Sequence, residues 1–217
     1  FYGTVVNLAI ANDWMHKNPF AGIRFQEKEV IREVLTKEEI ERMMCKEFAL
    51  PRLEYVRDVF IFCVFTGMAY VDVNNLRQEH IVRDNNDDLW IRKARQKTNN
   101  MCNIPLLKIP QLLMEKYKNH PLCTKTGALL PVPSNQKMNS YLKEIADFCG
   151  IQKNLTTHTA RHTFATVVAL ANGVSMENIA KMLGHSDIRM TQRYAKVMDS
   201  SIMRDMENVD KLFKSSE

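Results

Sequence analysis

The stretch from Pro51 to Gly67 constrains this chain more than any other. Leu53, Val56, Val59, Phe60, Cys63 and Val64 recur at helical spacing over a wide face, so a helix here must be covered on most of its circumference. Pro51 fits the first helical turn, where its missing N–H is not needed, and Gly67 fits the residue that ends a helix. Such a helix belongs at the centre of a domain. A chain of 217 residues with 45% hydrophobic side chains supplies enough material for one well-buried domain plus an appendage.

The appendage is expected at the start. Val5, Leu8, Ala9 and Trp14 keep helical spacing over residues 1–16, and Asn18-Pro19-Phe20 stops the pattern, because the residue before proline is pushed out of the α region. The charged stretch Arg24 to Glu33 lacks apolar periodicity and is expected to be a linker. Thr36-Lys37-Glu38-Glu39 then places a capping hydroxyl three residues before a Glu, the capping-box pattern of a new helix. These signals put the domain boundary near Val34.

Downstream of the central helix, Ile81 to Lys93 offers two short extended runs broken by Asp84-Asn85-Asn86-Asp87-Asp88, and Met101 to Leu106 offers a third. The expectation is a small three-stranded antiparallel sheet. Every later signal is helical, over about 109–118, 135–149, 157–171, 175–183, 187–197 and 199–213. The fold class expected is therefore mostly α (α+β). Five cysteines (Cys45, Cys63, Cys102, Cys123, Cys149) never form a C-x-x-C pair, so neither a disulfide framework nor a zinc knuckle is indicated, and a reducing cytoplasm fits best. No apolar run spans a bilayer and no targeting pattern follows Phe1, so no membrane partner is expected; an opening without Met leads us to expect a fragment. The net charge of +5 suits a polyanionic partner without requiring one.

The chemistry concentrates late in the chain. His158 and Arg161 stand at i and i+3 of an expected helix and turn toward one side. Arg presents a planar fork of donors that matches phosphate oxygens, and an adjacent His donates a hydrogen bond or moves a proton. Leu183-Gly184-His185-Ser186 follows, then Thr191-Gln192-Arg193-Tyr194. A tyrosine of ordinary pKa near 10 becomes a nucleophile only where its proton is removed and its phenolate is drawn to an electrophile; neighbouring Arg and His groups supply both conditions.

H-x-x-R, then L-G-H-S, then a Tyr nine residues past that His resembles the signature of the tyrosine recombinases, the phage-type integrases. Thr66-Gly67-Met68 with Asp72-Val73 and Leu76 resembles the family's stretch around its first arginine, and Gln96-Lys97-Thr98 resembles the segment that carries its lysine. The order agrees, coverage runs from about Val34 to Val197, and residues 1–33 resemble the end of the family's core-binding domain and its linker. Integrases of phages and of conjugative transposons are the branch suggested. The resemblance implies that residues 34–217 form a catalytic domain that cuts and rejoins double-stranded DNA. Tyr194 would form a 3′-phosphotyrosyl link, Arg161, His158 and His185 would hold the transition state, and Lys97 would protonate the leaving 5′ oxygen. No cofactor, metal or ATP is implied. It further implies a homo-tetramer on DNA joined by exchange of the C-terminal helix, where Ile202, Met203, Met206, Val209 and Leu212 share one face, and accessory DNA-bending proteins.

One position departs from the family. Ala69 stands two residues after Gly67, where the family has its first arginine. Arg57, a charge amid the apolar pattern of the central helix, is the expected substitute, with Arg77 and Arg95 behind it; an ion pair of Arg57 with Asp58, Glu54 or Asp72 is the alternative. A DNA-binding module without catalysis and a type IB topoisomerase remain open. A zinc hydrolase built on His158 and His162 lacks the required Glu, since Thr159 occupies its place.

Overall fold

The computed structural model describes residues 2–23 and 33–195. The chain divides into two units, Phe1–Ile31 and Arg32–Glu217. In the first, helix α1 (Tyr2–Ala11) stops earlier than the apolar spacing predicts. Asn12 Nδ2 donates to the Leu8 carbonyl at 2.8 Å, and Asp13 takes the left-handed conformation at φ 54°, which ends the helix before Trp14. The expected helix over 199–213 and its apolar stripe lie outside the described residues.

The second unit is built around α3 (Pro51–Thr66), whose buried residues include Leu53, Val56, Val59, Phe60, Ile61, Phe62, Cys63 and Val64. Burial on every side, rather than on one stripe, follows from what surrounds it. Helices α2 (Lys37–Cys45), α5 (Lys108–Tyr117), α7 (Asn135–Phe148) and α8 (Thr157–Thr163) all pack on α3. Helix α2 begins with the expected capping box, Thr36 and Glu39 each accepting the other's backbone N–H. The short helices α4 (Tyr70–Asn74) and α6 (Pro121–Thr126) complete the middle of the chain; neither has enough residues for a periodicity to show in the sequence.

The sheet is antiparallel in the order β1 (Ile81–Arg83), β2 (Leu89–Ala94), β3 (Met101–Pro105), as expected. Ile91 pairs with Ile104 and Lys93 with Cys102, so alternate residues of the β2–β3 hairpin face the core. Arg95 N–H donates to the Asn100 carbonyl at 2.9 Å, and Asn99 N–H to the Arg95 carbonyl at 2.8 Å, closing the loop between them.

The helix expected over 157–171 is not uniform. Beyond Thr163 it widens into a π-helical stretch, Phe164–Ala169, and ends in a 3-10 turn, Leu170–Asn172. Thr163 and Thr166 hydroxyls donate back to the Thr159 and His162 carbonyls, each at 2.8 Å, competing with the regular backbone ladder there. Helices α9 (Met176–Leu183) and α10 (Arg189–Ala195) follow.

Gly67 ends α3 at φ 66°, and a Cβ there would lie 2.4 Å from Phe164 Cδ1 and 2.7 Å from Leu183 Cδ2. Left-handed backbone and contact with two buried side chains act together. Gly67→Ala is expected to lower stability by roughly 2–4 kcal/mol, measured by urea denaturation.

Candidate active site

Arg161 lies one turn inside α8 and is 6% exposed. Its Nη1 donates to the Gly67 carbonyl at 2.7 Å and its Nη2 to the Leu183 carbonyl at 2.7 Å. Both acceptors sit at helix C-terminal ends, of α3 and α9, where carbonyls lack intrahelical partners and carry the negative end of the helix dipole. No carboxylate pairs with Arg161 among the described residues. Burial, and then the positive charge of Arg95, lower its pKa, as expected for an enclosed cation without a directly paired carboxylate.

The third partner of Arg161 is His185, in the turn after α9, with Nη2 3.3 Å from Nε2. A guanidinium only donates, so Nε2 accepts and the ring proton sits on Nδ1, which donates to Thr191 Oγ1 at 2.8 Å. Burial pushes the His185 pKa down to about 4, helped by the charges of Arg161, Arg95 and Arg193. His185 is therefore neutral at physiological pH. Gly184 makes the turn possible at φ 60°; a Cβ there would come within 2.7 Å of Arg95 Cδ and 2.8 Å of Cys102 Sγ, so only glycine lets the hairpin approach this closely.

Tyr194, on α10, is 7% exposed and packs with Phe164, Ala165, Ala169, Ile179 and Leu183. Its ring lies parallel to that of His185 with centroids 6.3 Å apart, and edge-on to His162 at 5.1 Å. His162 in turn lies 5.8 Å from His158, which is exposed in the first turn of α8. Four rings thus run in sequence, His158, His162, Tyr194 and His185, with Arg161 bonded to the last. Thiols do not compete as nucleophiles here. Burial pushes Cys63 up to about 12 and raises Cys102 as well, despite the nearby positive charge of Arg161, so both stay protonated.

This constellation can be set beside known proteins. A model of the phage integrase family matches residues 33–201. The chain belongs to that family. Tyrosine recombinase XerD of Staphylococcus saprophyticus is 40% identical over 95 residues, 44% of this chain and 31% of that protein. XerD of Staphylococcus aureus is 42% identical over 71 residues, 33% of this chain and 24% of that protein. The chain spans about a third or less of the length of the curated relatives it matches. Among solved structures, the Tn1549 transposon integrase in complex with circular intermediate DNA matches at TM-score 0.70 and 17% identity, covering 94% of this chain and 75% of that one. A lambda integrase dimer bound to a core site matches at TM-score 0.67 and 18% identity, covering 88% and 70%. At these identities the likeness is one of fold.

Of the residues this phage integrase family chain was expected to use, the structure brings together Arg161, His185 and Tyr194, with His158 reached through His162. Lys97 is exposed in the turn between β2 and β3. Arg57 is not part of the cluster. It lies near the middle of α3, ten residues or about 15 Å of helix from Gly67, and its Nη1 donates to the carbonyls of Met43, Met44 and Lys46 at 3.2, 3.3 and 2.6 Å. Its Nε pairs with Asp58, which also accepts from Lys116 and from the Tyr117 hydroxyl, each at 2.7 Å. Every one of these partners serves the end of α2 and the packing of α5. Arg77 likewise donates to the Asn74 and Leu76 carbonyls. Sequence reasoning gave no role to Thr191, fully buried and setting the His185 tautomer, and offered Asp72 only as an ion-pair partner for Arg57, whereas its Oδ1 accepts from Gln96 N–H at 2.9 Å and pins the hairpin to α4.

Two outcomes follow from this geometry. Arg57→Ala is expected to cost roughly 2–4 kcal/mol by urea denaturation, since it leaves buried acceptors unpaired, while the His185 ring resonances stay in place. His185 has a folded pKa of about 4 against about 6.5 unfolded. The unfolded chain therefore takes up the proton first, and stability present above pH 6.5 is lost as pH falls toward 4. His185→Gln should flatten part of that slope in denaturation curves taken across the window, leaving the part owed to His80, whose pKa burial also lowers.

Proposed function

We propose that this domain cuts and rejoins DNA as part of a site-specific recombinase, with Tyr194 as its nucleophile. Arg161 carries the reading. A buried guanidinium held by carbonyls keeps its full charge for an incoming anion, and it stands one neutral imidazole away from a tyrosine. A phosphodiester fits such a site, because charge builds on its nonbridging oxygens during displacement and fixed donors then stabilise the transition state more than the ground state.

Tyr194 Oη forms a bond to phosphorus as the bond from phosphorus to the 5′ oxygen breaks. The phenolic proton is released to solvent, and Lys97 on the hairpin supplies a proton to the leaving 5′ oxygen. The 3′-phosphotyrosyl link conserves the phosphodiester, so attack by a 5′ hydroxyl rejoins a strand without ATP. Arg161, His185 and His158 hold the phosphate. Its negative charge also offsets the cations that depress the His185 pKa, bringing that ring back toward its ordinary value in the complex.

The same reading includes double-stranded DNA as partner, a mobile element of the conjugative-transposon kind as its source, and a cytoplasmic site of action. The fold likeness to the Tn1549 transposon integrase supports the source. A tetramer joined through the C-terminal tail, and accessory DNA-bending proteins, rest on the sequence resemblance alone. Ala69 favours one second reading, a domain that binds DNA without cutting it.

The test incubates the protein with nicked duplexes randomised around the nick and looks for a protein–DNA adduct on a denaturing gel. An adduct from the wild type is expected, unaffected by EDTA and absent from Tyr194→Phe, whose duplex affinity stays within about twofold because only the nucleophilic oxygen is lost. Adduct at normal yield from Tyr194→Phe would remove Tyr194 from the mechanism. Duplex binding without any adduct would establish the second reading.

A further inference from the structure

Among the described residues, Arg95 is the largely buried cation whose donors the fold leaves least satisfied. Its side chain is 12% exposed, and its Nε is buried without a hydrogen-bond partner. The one carboxylate paired with it among the described residues is that of Asp72, with Oδ2 3.8 Å from Nε, too far for a hydrogen bond. Asp72 Oδ1 is already engaged by Gln96 N–H. The aliphatic stem of Arg95 lies over Gly184, which directs the residue toward the turn that carries His185. Its charge is felt at both Arg161 and His185. Two guanidiniums in one enclosed region repel, and an unpaired buried donor costs about 1–3 kcal/mol. An anion lying between them relieves both penalties.

The place of Arg95 also answers the vacancy at position 69. Ala69 is the N-cap of α4, and its carbonyl accepts from Asp72 N–H at 3.0 Å. Asp72, one turn on, is the residue against which Arg95 lies. The hairpin thus brings a guanidinium to the neighbourhood from which an arginine at 69 would reach. Arg57 is engaged through Nη1 and Nε at the end of α2 and at Asp58, Arg77 Nη1 is held by the Asn74 and Leu76 carbonyls, and Arg193 is exposed. We propose that Arg95, from the β2–β3 hairpin, is the second phosphate-binding arginine of this site and a catalytic residue, replacing the one absent at Ala69. This rests on the strand-cleavage reading for its catalytic part and on geometry alone for its anion-binding part.

Two measurements separate these parts. Inorganic phosphate titrated into the protein, followed by the His185 ring resonances, is expected to bind the wild type and to bind Arg95→Gln at least about tenfold more weakly. Equal affinities would overturn the proposal. On the nicked duplex selected by wild-type adduct formation, Arg95→Gln should slow cleavage by roughly 100-fold or more, with a thermal midpoint no lower than that of the wild type. Arg95→Lys, which keeps the charge but not the fork, should recover only part of the rate. Adding Ala69→Arg to Arg95→Gln should restore activity. A methylphosphonate at the scissile step, which lacks one charged oxygen, should bring Arg95→Gln to within about tenfold of wild type; a purely structural role would leave both substrates equally impaired and would overturn the catalytic assignment. A wild type that binds phosphate through Arg95 yet forms no adduct would uphold the anion site and remove the cleavage reading instead.

Discussion

Arg161 joins the ends of two helices, and most of the site follows from that bond pair. Its guanidinium holds the Gly67 carbonyl beyond α3 and the Leu183 carbonyl at the end of α9. Each helix end has carbonyls that need donors, and each brings a partial negative charge. A carboxylate in the same place would hold the arginine more strongly and would also neutralise it. Carbonyl dipoles fix its position while leaving it a cation. That difference decides whether a buried charge is structural or available to an anionic ligand.

The two glycines are the steric counterpart of this arrangement. Gly67 and Gly184 both take left-handed conformations at helix ends, and both face neighbours that a methyl group would strike. At Gly67 the neighbours are Phe164 and Leu183, so the end of α3 seats directly on the π-helical stretch and α9. At Gly184 they are Arg95 and Cys102, so the hairpin closes onto the His185 turn. Asn100 reinforces that contact by donating to the Gly184 carbonyl at 3.3 Å. The site is thus assembled where separate parts of the chain converge at two contacts, each permitted by the absence of a side chain.

Much of the fold was legible because its signals are local or periodic. The capping box at Thr36, the apolar run of α3 and the three extended segments of the sheet each declare themselves within a few residues. What the sequence did not show depends on competition among tertiary contacts. The π-helical stretch arises where threonine hydroxyls bond back onto the helix, and the spacing of Phe164 to Ala169 reads as ordinary helix. The role of Thr191 was hidden for another reason. A threonine at the start of a helix is unremarked until the imidazole across the turn turns its Nδ1 toward it.

The arginines show why sequence pattern cannot assign a buried charge. Arg57 breaks an apolar helical run and Arg95 sits in a basic hairpin, so pattern alone puts Arg57 first as the anomaly that demands a function and leaves Arg95 a lesser candidate among cations expected to be solvated. The deciding quantity is the inventory of acceptors around each guanidinium. Arg57 meets three carbonyls and a carboxylate, and its burial is fully compensated within the fold. Arg95 reaches its carboxylate only at 3.8 Å and leaves Nε unbonded. A buried donor left unsatisfied after folding calls for an explanation, and the proposed phosphate supplies one for Arg95. Acceptors come from distant parts of the chain, and only their positions in space distinguish an arginine whose donors the fold satisfies from one whose donors it leaves open.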